Sequence, residues 1–221
     1  MKASTLPSFA RSTGSNAISV VLSALVATQF FHSALAQQVD DEWPCIQQLV
    51  DEVSPVVMWP LPVDDIESGA WRKNASIRSL AEHLGDIQQY GDKDRGDVEL
   101  FADGLTSLSD EQRELQLNLL ALGILDVTNR VRRDYISGIK RYTRQQIAIA
   151  DQIGNTLNEL SVLEDAQDVD AEKKEEILAT LRWHERVYDQ REQAIQSLCE
   201  QPVELEEVLS DVLRDVAQYL P

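Results

Sequence analysis

Six basic residues crowd one short stretch of this chain: Arg130, Arg132, Arg133, Lys140, Arg141 and Arg144 lie within fifteen positions. On a helix, Arg130, Arg133, Arg141 and Arg144 fall largely on one side, and Lys140 joins them. Guanidinium groups so gathered suit an anion, because their fixed fork of donors matches a carboxylate or a phosphate. The set is therefore a candidate site for an anionic ligand or a partner. A plainer use is pairing with Glu175, Glu176, Glu185, Asp189 and Glu192 on a second helix lying alongside, and this is the reading taken here.

Other chemistry-bearing residues fall short of a site. Asp92, Asp94, Asp97, Glu99 and Asp103 invite a calcium loop starting at Asp92. The sixth position of that loop would be Asp97 instead of glycine, and the twelfth Asp103 instead of glutamate, so it reads as a solvated acidic loop. His184-Glu185 lacks the paired histidines of a zinc helix or the Glu-x-x-His repeat of a di-iron bundle, and no metal ligand is assigned. No nucleophile elbow, phosphate-binding glycine loop or dinucleotide fingerprint occurs. The expectation is a non-catalytic protein without a cofactor. Cys45 and Cys199 lack Cys-x-x-Cys spacing and read as one structural disulfide.

The elements that must position these residues are long helices. From Ser109 to about Leu163 no proline occurs, and Leu117, Leu120, Ile124, Val127, Val131, Tyr135, Ile139 and Tyr142 step by three and four. Ser109-Asp110-Glu111-Gln112 is a capping box that starts this arm. Residues 163–169 suit a turn, with Asp168 or Asp170 capping a second arm to about 200. There Ile177, Leu181, His184, Tyr188, Arg191, Ile195 and Leu198 form a heptad seam. An antiparallel pairing that turns near 166 sets position 141 against about 191, and 144 against about 188. Pro202 should end the second arm and open a separate amphipathic helix over 202–220 that folds back onto the base.

Ahead of the hairpin, Trp43, Ile46, Leu49 and Val50 suggest a short helix within 37–52. The prolines from Pro55 to Pro62 suggest a strap pinned by Met58 and Trp59, and residues 71–90 return to helical spacing. Gly123, Gly138 and Gly154 interrupt the first arm and mark either close approach or hinges. The fold class is all-α: a long antiparallel, coiled-coil-like hairpin with short N- and C-terminal helices packed at its base.

Residues 1–36 read as a signal peptide: Lys2 and Arg11 precede an apolar run that ends in Ser33-Ala34-Leu35-Ala36. Residues 37–221 then form a single helical domain. The whole chain carries −18 and residues 1–36 contribute +2, so the remainder carries −20. Such a surface repels nucleic acid and anionic lipid, and no stable membrane insertion is expected after cleavage. The expected function is that of a secreted or periplasmic interaction protein, an adaptor, scaffold or chaperone-like partner of another protein. The alternative is a carrier or sensor for a small anion or a metal cation.

Overall fold

The computed structural model describes residues 40–221; the signal peptide expected over 1–36 lies outside the described residues. All regular structure among the described residues is helical. A one-turn helix α1 (Pro55–Met58) and a 3-10 turn (Ala70–Lys73) precede α2 (Ala75–Leu84) and α3 (Asp92–Asp103). Two long helices follow, α4 (Asp110–Glu164) and α5 (Ala171–Ala217), and they pack against each other as an antiparallel hairpin.

The starts of both arms follow from their caps. Ser109 Oγ accepts the Gln112 amide and Gln112 Oε1 accepts the Ser109 amide, each at 3.3 Å, so two orphan donors are satisfied. Asp170 Oδ1 accepts the amides of Glu172 and Lys173 at 3.0 and 3.1 Å and opens α5. The turn between the arms lies where the sequence places it.

At 55 residues α4 is about 80 Å long, and no helix of that length is stable without packing. The base supplies most of that packing. Leu117, Leu120, Ile124 and Val127 of α4 meet Leu209, Val212, Leu213 and Val216 of α5 in one apolar cluster. Ile77, Ala81 and Leu84 of α2, Val98 of α3, and the indoles of Trp59 and Trp71 close it. Buried indoles need partners for their N–H groups: Trp59 donates to Asn118 at 2.7 Å and Trp71 to Asp126 at 3.2 Å. The Trp59 strap is therefore seated on α4, as the proline-punctuated sequence suggests. Gly123 permits the close approach of α2, since a Cβ there would stand 2.7 Å from the Ala81 methyl and 3.0 Å from the Trp71 ring. Gly138 and Gly154 face open space.

Three local expectations are corrected. Residues 40–54 form no helix; they run as irregular chain along the hairpin. Pro44 and the polar face of α4 are the reason: that face takes up the segment's backbone groups, as detailed below, so helical bonding is not needed. Pro202 does not separate two helices, because α5 continues through it to Ala217. An internal proline costs ~3 kcal/mol, and the burial of Leu205, Leu209, Val212, Leu213 and Val216 in line with the same arm outweighs it. The carbonyl of Cys199, in the turn beside the proline, accepts Gln47 Nε2 at 2.5 Å. Finally, the acidic stretch is not a loop: Asp92, Asp94, Asp97, Glu99 and Asp103 all lie on α3, the first two in its first turn, where carboxylates favour the helix dipole.

Farther from the base the hairpin is two helices, held by Ile136, Ile139, Ile177 and Leu181 and by a polar lock. Arg191 lies 3.9 Å over the Tyr142 ring, donates to the Tyr142 carbonyl at 3.1 Å and to Gln146 Oε1 at 3.2 Å. Gln146 Nε2 in turn donates to the Tyr188 carbonyl at 2.9 Å. Tyr142 thus stands across from Arg191 and Gln146 across from Tyr188, within one or two residues of the register read from the turn. A polar group in an apolar seam discriminates against slipped pairings, and Arg191 does this here.

Candidate functional site

Along α4, Asn129, Arg133, Lys140 and Arg144 recur at helical spacing, so one face carries a stripe of donors. The chain's own residues 40–53 lie on it. Lys140 pairs with Asp40 at 2.7 Å, Arg144 with Glu42 at 2.6 Å and Arg133 with Glu52 at 2.5 Å. Asn129 reads the backbone of Val53 twice, accepting its amide at 2.8 Å and donating to its carbonyl at 3.0 Å.

Arg132 is the buried member, 4% exposed. A buried guanidinium must be paired and hydrogen-bonded, and this one is both. Its Nε donates to the Val50 carbonyl at 2.9 Å, and its Nη1 meets the carboxylate of Glu206 on α5. The Lys140 ammonium and the Glu42 amide both donate to Asp40 and hold its carboxyl below the ordinary carboxylate range.

Of the basic cluster, Arg133, Lys140 and Arg144 thus meet the N-terminal segment, and their partners differ from those expected. Of Glu175, Glu176, Glu185, Asp189 and Glu192, none pairs with that cluster, and Glu175 bonds Arg182 on its own arm. The face of α4 that meets α5 here carries Tyr142 and Gln146, while Arg133, Lys140 and Arg144 reach the N-terminal segment. Arg130 and Arg141 are exposed and, among the described residues, have no carboxylate within ion-pair distance.

The disulfide fastens this segment to the hairpin. Cys45 and Cys199 are bonded, with Cα atoms 5.5 Å apart and 154 positions between them in sequence. Among the described residues, no helix is long and apolar enough to cross a membrane.

Two further arrangements escape the sequence. His83 Nε2 lies 2.8 Å from Asp94 Oδ1, and Asp97 brings a carboxylate oxygen into the same group, all within 4.8 Å. The Gly91 amide bonds the other oxygen of Asp94 at 3.0 Å, which lowers its pKa first, with His83 adding to that. Such a set can offer one nitrogen and two oxygens to a divalent cation. His83 sits on α2, eleven positions before Asp94, so no spacing motif announces it.

The second arrangement is a groove beside the disulfide. Pro44, Cys45, Ile46 and Gln47 form one wall, and α5 from Glu192 to Glu207 forms the other. It holds about 730 Å³. Its signal in the sequence is the glutamate spacing at 192, 200, 204 and 207, obscured by reading Pro202 as a helix break.

No protein-family model, no curated protein and no solved structure is similar to this chain.

Proposed function

We propose that this chain is a non-catalytic helical interaction protein, exported to the periplasm or beyond the cell, serving another protein as adaptor, scaffold or chaperone-like partner. The observation that carries this reading is the pair of distal arms, where two helices without further cover carry exposed Ile147, Leu157, Val162 and Trp183. The base is wrapped by α2, α3 and the N-terminal segment, although Val56, Val57 and Leu100 are exposed there too. Trp183 is 57% exposed, on a helix held in fixed register by Arg191. Rigidly presented apolar side chains are the usual anchors of a protein interface. The disulfide supports an oxidising compartment.

Site-directed photo-cross-linking in the native envelope tests this. A photoreactive residue at position 157 or 183 should give adducts of one discrete mass, and one at position 64 on the base should not. Adducts from the base alone, or none from the distal arms, would contradict the reading.

The alternative, a ligand carrier, divides. An anion carrier loses support because Arg132, Arg133, Lys140 and Arg144 are engaged by the chain's own carboxylates. A cation carrier retains His83, Asp94 and Asp97. Zinc titrated into the protein and into its His83→Gln variant checks it; equal heats in both would remove it.

A further inference from the structure

We propose that the groove between the Cys45 segment and α5 is a docking site for a basic amphipathic helix of another protein. The proposal takes from the reading above only that the partner is a protein; it concerns a different surface. The floor and walls are apolar: Ile46 is fully exposed, Val203 is 41% exposed, and Ile195 and the disulfide lie between them. Its rim is acidic. Glu192, Glu200, Glu204 and Glu207 line it, and no lysine or arginine does.

These four carboxylates differ from those that meet the basic stripe. Asp40, Glu42, Glu52 and Glu206 are all consumed by the basic stripe, whereas none of the four is in an ion pair among the described residues. An apolar trough flanked by unpaired carboxylates complements a segment with an apolar stripe flanked by lysine or arginine, and it rejects an acidic one. Residues 192 to 207 extend for about 22 Å at ~1.5 Å per residue, which accommodates a helix of about fifteen residues. A second copy of this chain is disfavoured as occupant, because residues 37–221 would bring their own net −20 against the same rim.

The disulfide gives the site a condition. It holds the wall carrying Ile46 to the floor at Cys199, so breaking it loosens one side of the groove, left to the Gln47 bond and the flanking ion pairs, while the hairpin core stays packed. Docking should therefore depend on the oxidised state.

The test is fluorescence anisotropy with the purified oxidised protein and a labelled fourteen-residue leucine–lysine peptide of helical spacing, beside its leucine–glutamate counterpart. The lysine peptide should bind saturably with one-to-one stoichiometry, and the glutamate peptide should not bind. Changing Glu192, Glu200, Glu204 and Glu207 to glutamine should weaken binding about ten-fold or more. Removing four charges at the hairpin tip instead (Asp165→Asn, Asp168→Asn, Glu172→Gln, Glu176→Gln) should weaken it less than about three-fold.

Ile46→Ser with Val203→Ser, and separately Cys45→Ser with Cys199→Ser, should each cost about ten-fold with helical circular dichroism retained. Equal losses in the groove and tip variants would reduce the effect to diffuse charge attraction and overturn the proposal. So would indifference to the apolar or cysteine changes, or a concentration-dependent dimer dispersed by Ile46→Ser. No binding of the lysine peptide to the parent protein, with distal cross-links intact, would remove the groove and leave the distal reading standing.

Discussion

The base and the distal arms of this hairpin are held together by different physics. At the base, side chains from four helices and a strap interlock around Leu117, Leu120, Ile124, Val212 and Val216, all essentially without solvent contact. In the distal arms, two helices share a narrow seam, and the alignment depends on Arg191, Tyr142 and Gln146. A core excludes alternatives through volume, while a polar lock excludes them through unpaired donors. One continuous 55-residue helix thus lies in a many-sided core at one end and in a two-helix seam at the other.

The largest expected effect concerns the fastening of the base. Replacing Cys45 and Cys199 by serine should destabilise by about 2–5 kcal/mol, because the bridge closes a loop of 154 positions. Denaturant unfolding with and without reductant measures it, and a loss below about 1 kcal/mol would place the disulfide outside the cooperative unit.

The glycines sharpen the comparison along α4 itself. Gly123→Ala inserts a methyl 2.7 Å from the Ala81 Cβ and should cost about 1–3 kcal/mol. Gly138→Ala and Gly154→Ala meet nothing within 4 Å and should each stabilise by about 0.5–1 kcal/mol. Thermal melts should therefore move in opposite directions for the base variant and the two distal ones.

The basic stripe provides a finer division. Arg144→Glu loses its bond to Glu42 and should cost up to about 1 kcal/mol, with Glu42→Arg restoring most of it in the double variant. Arg141→Glu, without a carboxylate in reach, should leave stability within about 0.5 kcal/mol. Equal effects of the two substitutions would mean that the N-terminal segment does not lie on the stripe.

The smallest effect is that of pH. The carboxyls of Asp40 and Asp94 are depressed, by Lys140 and by the Gly91 amide respectively. A depressed carboxyl stabilises the fold above its ordinary range and loses that contribution as pH falls through the lowered value. Stability should accordingly decline below about pH 4, and the decline should be shallower in Asp40→Asn and Asp94→Asn. An unchanged slope in both would contradict these contacts.

Much of this architecture was legible because it rests on local rules. The three-and-four spacing of Leu117 through Tyr142, the Ser109 capping box and the Asp170 cap each state their structure within a few residues. Register followed from the position of the turn. What was not legible depends on residues far apart in sequence. Trp43, Ile46, Leu49 and Val50 have helical spacing, yet Asn129 and Arg132, some 76 and 82 positions after their partners Val53 and Val50, engage that backbone directly. Pro202 carries a local helix-stop signal that tertiary burial overrides. The basic cluster was found by composition, but its partners Asp40, Glu42 and Glu52 lie on a segment whose path no periodicity describes.

The difference between wrapped base and open arms is tested most directly by native-state hydrogen exchange across the oxidised protein. The amide of Val53, bonded to Asn129 Oδ1 at 2.8 Å, should exchange slowly although it lies in irregular chain, and Asn129→Ala should release it. Amides of residues 117–127 and 205–216 should exchange only through global unfolding, while those of 150–175 should exchange faster by local opening of the two-helix arms. Free exchange at Val53 in the parent protein, or uniform protection from the base to the turn, would contradict the account.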